Sequence, residues 1–291
     1  MIYLDSAATT FQKPPSVSYA MQRAMRTMSS PGRGGYAAAR AAEETAFRCR
    51  SLAAELFGVP SPEQVVFTSN ATHALNIAIR SLVPEGGRVA VSGYEHNAVT
   101  RPLHALGARI KVAASPLFDR AALLRAFENS ISPELDAVVC THVSNVFGFV
   151  LPIEEIAALC RAEGVPLIVD ASQSAGILPF ELDTLGAAFI AMPGHKGLYG
   201  PQGTGLLLCA HDAAPLLYGG TGSASLEQTM PDFLPDRLEA GTHNMPGIAG
   251  LLEGLRFVEQ QGVGRIAGHE RHLTRHMAAL LRDIPGAEVF Y

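Results

Sequence analysis

The sequence predicts an α/β protein whose mainly parallel sheet is covered by helices on both faces. Short apolar segments, typical of strands, alternate along the chain with segments in which apolar residues recur every three to four positions, typical of helices. The strand-like segments are apolar at nearly every position, which indicates strands that are buried on both faces. With 291 residues, 48% of them hydrophobic, the chain is long enough for one large domain or two.

The predicted elements follow one another in a regular order. A first helix is expected at 16–28, where apolar residues recur at helical spacing. The strand-like segments are EQVVFTS, GRVAVSG, ARIKVAAS, DAVVCTHV, PLIVDAS, AFIAM and TGLLLCA. The helix-like segments between them include ATHALNIAIRSL, NAVTRPLHAL, DRAALLRAFE and IEEIAALCRAEG. Two long helices are predicted at about 246–261 and 264–283, and the final AEVFY resembles the first strand of a second domain whose remainder is absent.

Composition excludes several classes of protein. A net charge of −5 argues against a nucleic-acid-binding surface, which needs a basic face. No apolar stretch approaches the length of a membrane span, and the N-terminus lacks the pattern of a signal peptide. The four cysteines are scattered and form no CxxC pair, which is typical of reduced thiols in a cytosolic protein. We therefore expect a soluble cytoplasmic protein.

Polar residues follow several predicted strands at the point where each strand ends. Ligands bind at the carboxyl ends of the strands in an open parallel sheet. Small residues at 69–72 begin a helix, whose free N–H groups suit a phosphate. Asp170 ends one buried strand, and Lys196, in PGHK, follows the next. A buried amine has a lowered pKa and is a nucleophile for carbonyl carbons. A phosphate site, a carboxylate and a lysine together fit pyridoxal 5'-phosphate.

Seven motifs carry a resemblance to a known family. In chain order they are YLDSAATT, FTSNATHALN, YEHNAV, THVSNVFGFVLPI, VDASQSAG, PGHKGLYGPQGTGLL and EAGTHNMPGI. They resemble those of class V aminotransferase-fold enzymes, specifically the cysteine desulfurase and selenocysteine lyase group. The resemblance implies the fold type I of pyridoxal-phosphate-dependent transferases, with a seven-stranded sheet. It also implies a large cofactor-binding domain at 14–262 and an incomplete small domain made of 1–13 and 263–291.

The resemblance assigns roles around the cofactor ring. By it, Lys196 is the lysine that forms the Schiff base, and Asp170 pairs with the pyridine nitrogen. Gln173 would bind the ring hydroxyl, His96 would stack on the ring face, and Asn145 would lie close to cofactor and substrate. Lys196, His96 and Asp170 would be the catalytic residues.

The resemblance also assigns the phosphate contacts and an assembly. Ala71, Thr72 and His195 would hold the phosphate, and Thr242 would reach the phosphate of a neighbouring subunit. This implies a homodimer with sites at its interface. The residues at 7–8 would border the substrate pocket.

The implied reaction removes sulfur from L-cysteine, giving alanine and a persulfide, with a sulfur-acceptor protein as a further partner. The family's nucleophilic cysteine and its carboxylate-binding arginine lie beyond the matched region. Cys140, Cys160 and Cys209 lie in apolar surroundings in the sequence and are expected to be core residues. Gly197, which follows the lysine, is a variant within the group and leaves the substrate open. A class V aminotransferase, a selenocysteine lyase and a chain that binds the cofactor without full catalysis remain alternatives.

Several single residues also have simpler interpretations. Taken alone, Lys196 is more often a surface lysine, and Asp170 at a strand end is more often a cap. His272 and His276 lie one helical turn apart, as in some metal sites. They lack a third ligand and the glutamate of the zinc motif, so we expect a solvated helix face and no metal.

Overall fold

Seven strands form one sheet. The computed structural model describes residues 2–32, 34–224 and 226–290. The strands are β1 (Val65–Thr68), β2 (Arg88–Ser92), β3 (Arg109–Ala113), β4 (Ala137–Thr141), β5 (Leu167–Asp170), β6 (Phe189–Pro193) and β7 (Gly205–Cys209). Their order in the sheet is β1-β7-β6-β5-β4-β2-β3. All neighbouring pairs are parallel except those that involve β7, which runs antiparallel to β1 and β6.

Helices cover both faces of this sheet. Their bounds are α1 (Pro15–Thr27), α2 (Ala37–Leu56), α3 (Ala71–Leu82), α4 (Asn97–Ala105), α5 (Arg120–Glu128), α6 (Ile153–Glu163), α7 (Leu182–Leu185), α8 (Met245–Gln261) and α9 (Val263–Arg282). Consecutive residues of a strand point to opposite faces. In β4, Val138 and Cys140 accordingly pack in one hydrophobic core with residues of α2, α6 and α8, whereas Val139 packs in a second core with residues of α3 and α4.

The mainly parallel seven-stranded sheet with helices on both faces is thus confirmed, as are all seven predicted strands. One long helix, α2, was not predicted from the sequence. The final segment differs from its prediction as well. Residues 287–290 form no strand, and Tyr291, the last residue of the predicted strand, lies outside the described residues. Within 287–290 no neighbouring strand offers the hydrogen bonds that a strand needs.

The two C-terminal helices form as predicted, and they differ in their surroundings. Helix α8 packs its apolar residues against α1 and α2, whereas most of α9 is exposed. The division into a large domain at 14–262 and a partial small domain stays a prediction. Throughout the described ranges, each helix is either too short or too polar to cross a lipid bilayer.

Candidate active site

One cavity of about 420 Å³ lies at the carboxyl ends of the parallel strands, and we refer to it as the Lys196 cavity. The ends of β4, β5 and β6 and the first turns of α3 and α4 surround it. The sheet order changes direction next to it, since β3 and β4 lie on opposite sides of β2. Ten residues predicted at or beside the site line this cavity: Ala7, Ala8, Ala71, Thr72, His96, Asn145, Asp170, Gln173, His195 and Lys196.

The start of α3 forms one wall of the cavity. Asn70 caps this helix, because its side-chain oxygen accepts a hydrogen bond of 2.8 Å from the N–H of His73. The first N–H groups of a helix have no partner within the helix, and the helix dipole adds positive charge there. Ala71 and Thr72 occupy these first positions and line the cavity. This wall therefore suits an anionic group such as a phosphate.

Asp170 lies at the floor of the cavity, at the last position of β5. Its side chain is 2% exposed, and it accepts hydrogen bonds from the backbone N–H (2.9 Å) and the hydroxyl of Ser172. Burial raises the pKa of this carboxyl group, while the Ser172 hydrogen bonds and the nearby charge of Lys196 act in the opposite direction. A buried carboxyl with a raised pKa is well suited to share a proton with a basic ring nitrogen.

Lys196 follows β6 and is partly buried. Burial lowers the pKa of its amine, and the negative charge of Asp170 opposes this shift. The amine therefore loses its proton at a lower pH than an exposed lysine does. A neutral amine is the form that attacks a carbonyl carbon, so the surroundings of Lys196 favour covalent chemistry.

His96 and Gln173 are held by hydrogen bonds on two sides of the cavity. His96 caps α4, and its Nδ1 accepts a hydrogen bond of 3.0 Å from the N–H of Ala98. In the neutral ring the proton then lies on Nε2. The side-chain nitrogen of Gln173 donates to the carbonyl of Ala7 at 3.1 Å, so this side chain is tied to the N-terminal segment.

His195 lines the cavity and also contacts the N-terminal segment. Its Nδ1 lies 3.0 Å from the hydroxyl oxygen of Thr9. Burial lowers the pKa of His195, and the positive charges of Lys196 and Lys13 lower it further. The ring is therefore held in place by Thr9 and favoured in its neutral form. Its predicted contact with a phosphate stays a prediction.

The sequence predicts no role for Glu95, but in the structure this residue connects the ends of β2 and β4 beside the cavity. Its Oε1 accepts hydrogen bonds from the N–H of Thr141, at 2.8 Å, and from the hydroxyl of Ser92. Its Oε2 is buried and has no partner among the described residues. Burial raises the pKa of Glu95 to about 8, against the effect of these hydrogen bonds, and the charge of Asp170 raises it further. Its position directly before His96, just after a strand, was the only sequence signal.

Thr242 does not line the Lys196 cavity. It lies in a second cavity of about 460 Å³, formed by the end of β1, the loop before β7 and the segment around Glu239. Within 2–32, 34–224 and 226–290, no residue lines both cavities. The predicted contact of Thr242 with a neighbouring subunit stays a prediction.

All four cysteines are buried, as predicted for Cys140, Cys160 and Cys209, and none of the four lines the Lys196 cavity. Burial raises the pKa of Cys49 and of Cys160 to about 12, and it raises the pKa of Cys140 and Cys209 as well. Because the thiolate is the nucleophilic form, these thiols are poorly suited to attack a substrate.

The histidine pair on α9 gives no sign of a metal site. His272 and His276 are both exposed. Across the part of the chain that the structure describes, no three histidine, cysteine, aspartate or glutamate side chains come together in a way that could hold a metal ion. An ion needs several ligands from the protein to be held at a structural site.

Comparisons with known proteins show the family and the fold that this chain resembles. Residues 2–291 match the family model described as aminotransferase class-V. A probable cysteine desulfurase of Mycolicibacterium paratuberculosis is 33% identical over 99% of this chain, and the chain spans 44% of that relative. A probable cysteine desulfurase of Methanothermobacter thermautotrophicus is 31% identical, and the chain spans 74% of it. The apo structure of a cysteine desulfurase from Thermococcus onnurineus NA1 superposes with a TM-score of 0.89 and 30% identity, covering 97% of this chain and 73% of that one.

Proposed function

This chain belongs to the class V aminotransferase family, and from that membership we propose that it is a pyridoxal-phosphate-dependent enzyme of the cysteine desulfurase kind. The observation that carries the proposal is the meeting of three groups in one cavity. Lys196, the buried Asp170 and the start of α3 all line the Lys196 cavity. Relatives named as cysteine desulfurases, at about a third identity over nearly the whole chain, support the choice of reaction.

The residues of the cavity fit pyridoxal phosphate group by group. The start of α3, with Ala71 and Thr72, offers N–H groups to the phosphate. Asp170 offers a buried carboxylate to the pyridine nitrogen, and Lys196 offers an amine with a lowered pKa to the aldehyde. His96 is available to pack on the ring face. Polar groups for the ring hydroxyl and the substrate come from Gln173 and Asn145, which also line the cavity: both are uncharged amides that donate and accept hydrogen bonds.

The mechanism follows from where these residues hold protons and charge. When bound, pyridoxal phosphate supplies an aldehyde that links to amines and a ring that takes up the electron pair left by a departing α-proton. The Nζ of Lys196 would be the base that accepts this α-proton, and burial favours the neutral form of the amine that this role needs. Asp170 would favour a proton on the ring nitrogen, because its carboxyl group lies at the cavity floor and can share that proton.

The last step, removal of sulfur, needs a thiol. A thiolate would attack the sulfur of L-cysteine: the new S–S bond forms as the Cβ–S bond breaks, and the electron pair left on Cβ takes up a proton. A persulfide then remains on the acceptor, and the three-carbon amino acid is released as alanine. No cysteine of this chain lines the Lys196 cavity, and among the described residues no arginine does. We therefore propose that sulfur leaves to a thiol outside residues 2–290, such as that of a sulfur-acceptor protein or a small thiol.

Three other functions remain candidates because they use some or all of the same residues. A selenocysteine lyase or a class V aminotransferase would share the proton transfer at Lys196 and the charge of Asp170. A chain that binds the cofactor without full catalysis would share only the binding groups. The missing thiol in the cavity is the specific observation in favour of the last alternative.

Two measurements test the proposal. After incubation with pyridoxal phosphate, borohydride should attach the cofactor covalently to Lys196, as seen by mass spectrometry. The Lys196→Ala variant should carry no adduct, and Lys111→Ala, which changes an exposed lysine, should behave as wild type. With L-cysteine, alanine and sulfide should be released in the presence of dithiothreitol and at a much lower rate without it.

Other outcomes would contradict the proposal at separate points. An adduct in Lys196→Ala would remove Lys196 from its role. Transfer of the amino group to a 2-oxo acid, without sulfide, would favour an aminotransferase. Faster release of selenium from L-selenocysteine than of sulfur from L-cysteine would favour a lyase. Covalent loading with neither reaction would leave a cofactor-binding protein.

A further inference from the structure

The N-terminal segment 7–13, which we call the strap, lies against the backbone of His195 and Lys196. The N–H of Thr10 donates to the carbonyl of His195 at 3.1 Å. The hydroxyl of Thr9 lies 3.1 Å from the same carbonyl. The strap is therefore joined to the His195–Lys196 backbone, although 186 residues separate Thr10 from Lys196.

The hydroxyl of Thr10 makes the contact that reaches Lys196 itself. Its Oγ1 lies within hydrogen-bonding distance of the carbonyl of His195, at 3.1 Å, and closer to the carbonyl of Lys196. A hydroxyl has one proton to donate, so the shorter contact to Lys196 is the one it favours. Together, the N–H and the hydroxyl of Thr10 hold the carbonyls on both sides of the Lys196 α-carbon. The direction in which the lysine side chain leaves the backbone is thereby restricted.

Lys13 reinforces this connection from the other end of the strap. Its ammonium donates to the carbonyl of Thr10 at 2.8 Å and to that of His195 at 3.3 Å. Burial lowers the pKa of Lys13. Hydrogen bonds from a charged donor are stronger than those between neutral groups, so Lys13 fastens the strap to the lysine loop.

The opposite side of the lysine loop is closed by a backbone contact. A Cβ atom on Gly197 would lie 2.3 Å from the carbonyl oxygen of Ala175, and one on Gly176 would lie 2.3 Å from the carbonyl oxygen of Gly197. Only glycine allows this approach. The glycine that follows the site lysine thus has a physical reason here: the loop is confined between the strap and the segment 175–176.

We propose that Thr10 is a positioning residue for Lys196: by binding the carbonyls of His195 and Lys196, it fixes the direction of the lysine side chain before any cofactor arrives. The importance of this side-chain direction for catalysis depends on the function proposed above. The hydrogen bonds of Thr10 do not depend on that function, because they involve only this chain. Thr10 touches no reacting atom and acts through the backbone of Lys196.

Hydrogen exchange on the cofactor-free protein tests the positioning directly. The variants are Thr10→Ala and Thr10→Val, which remove the hydroxyl, and Thr10→Ser, which keeps it. The amides of Tyr199 and Gly200 donate within the lysine loop, to the carbonyls of Lys196 (3.0 Å) and Gly194 (2.7 Å). We expect exchange at these amides to become about 3–10-fold faster in Thr10→Ala and Thr10→Val and to return to the wild-type rate in Thr10→Ser. Amides of β5 should be unchanged, which separates this effect from a general loss of stability.

A second readout uses the cofactor. After incubation with pyridoxal phosphate, the fraction of Lys196 trapped by borohydride is measured as a function of pH. Thr10→Ala and Thr10→Val should shift this profile, and Thr10→Ser should restore it. The control is Thr27→Ala, which removes another threonine hydroxyl that donates to a backbone carbonyl, that of Arg23 at 2.8 Å, on an exposed part of α1.

The results test the role of Thr10 and the proposed function separately. Wild-type exchange in Thr10→Ala, or a Thr10→Ser variant that behaves like Thr10→Ala, would overturn the role of Thr10. Equal changes in Thr27→Ala would overturn it as well. If the wild-type protein takes up no pyridoxal phosphate, the proposed function fails, whereas the exchange rates still decide whether Thr10 holds Lys196.

Discussion

Two carboxyl groups near the Lys196 cavity meet different surroundings. Asp170 has the positive charge of Lys196 nearby and two hydrogen bonds from Ser172. Glu95 also accepts two hydrogen bonds, but one of its oxygens is buried and has no partner in the described part of the chain. Two negatively charged carboxylates in one poorly solvated region repel each other, which favours a proton on one of them. Burial places that proton on Glu95. Glu95 thus supports the ends of β2 and β4 as an uncharged acid.

This assignment predicts how stability depends on pH. Between its ordinary pKa of 4.5 and its pKa of about 8, folded Glu95 holds a proton that the unfolded chain has released. Raising the pH through this window therefore favours the unfolded state. We expect the free energy of unfolding of the wild type to fall, relative to that of Glu95→Gln, by on the order of 1 kcal/mol per pH unit between pH 6 and pH 8. Urea denaturation at several pH values measures this difference.

A control variant isolates the effect of Glu95. Glu55→Gln changes an exposed glutamate of α2 and should follow the wild type at every pH. If the curves of Glu95→Gln and wild type run parallel from pH 6 to pH 8, then Glu95 is ionised throughout and the assignment is wrong.

The sequence predicts residues that a local pattern marks, and it misses residues whose role depends on partners far away along the chain. Lys196 and Asp170 follow apolar strands, and the rule that strand ends meet at one edge brings them together. Glu95 follows a strand in the same way, but its burial depends on Thr141, which no local pattern connects to it. Thr10 is a similar case, because its partners lie 185 and 186 residues away along the chain.

At the scale of elements, an ion pair joins α2 to the segment before α8. Arg50 of α2 and Glu239 are both 8% exposed, and the guanidinium also lies 4.0 Å from the centre of the Phe67 ring. Burial by itself would raise the pKa of Glu239, but the charge of Arg50 and the hydrogen bonds from His243 and Arg50 bring it below the ordinary value. Glu239 also accepts a hydrogen bond of 2.5 Å from the N–H of Phe67 in β1.

Loss of one partner should therefore cost much stability. Arg50→Ala leaves the Glu239 carboxylate buried without its cation, and we expect the free energy of unfolding to fall by about 3–5 kcal/mol. The matched control lies on the same helix: Arg48 pairs with Glu44 in solvent, and Arg48→Ala should cost less than about 0.5 kcal/mol. Chemical denaturation of the two variants at neutral pH gives both values. Similar losses in the two variants would show that burial does not make the Arg50–Glu239 pair more important for stability than an exposed pair.

The elements themselves were predicted to different degrees. The seven strands could be recognised because each is a short apolar run between polar turns. Helix α2 was missed because most of its buried positions are alanines, such as Ala39, Ala42, Ala46 and Ala53, which give only a weak apolar pattern. The direction of β7 could not be predicted either. Its apolar run indicates a strand, but only pairing with β1 and β6 sets it antiparallel.

At the scale of the whole molecule, the positions of the two cavities bear on assembly. Thr242 lies in the second cavity and is exposed to solvent in a single chain. We propose, from the family resemblance, that it binds the phosphate of the cofactor in a second copy of this chain. The protein should then be a homodimer, and light scattering should give twice the mass of one chain.

Mixing two variants tests whether Thr242 acts across subunits. Thr242→Ala should bind pyridoxal phosphate about tenfold more weakly or worse, since it loses a hydrogen bond to a charged group. Lys196→Ala should form no borohydride adduct. A mixed dimer of the two contains one site with both residues, so mixing should restore trapping at the wild-type affinity. A stable monomer with full loading, or a mixture no better than its components, would show that Thr242 does not act on a neighbour. Thr274→Ala, on exposed α9, is the control.

The strap has a consequence for the time at which the site becomes complete. Ribosomes build a chain from its N-terminus at about 5–20 residues per second, so Thr10 is made about 10–40 seconds before Lys196. Strand β1 is likewise made well before its partner β7, which begins at Gly205. Such distant pairings slow folding, since the chain loses freedom before the contacts form. The first residues to leave the ribosome are therefore among the last to find their places, and a nascent chain holds Lys196 in its final direction only after the strap has closed over it.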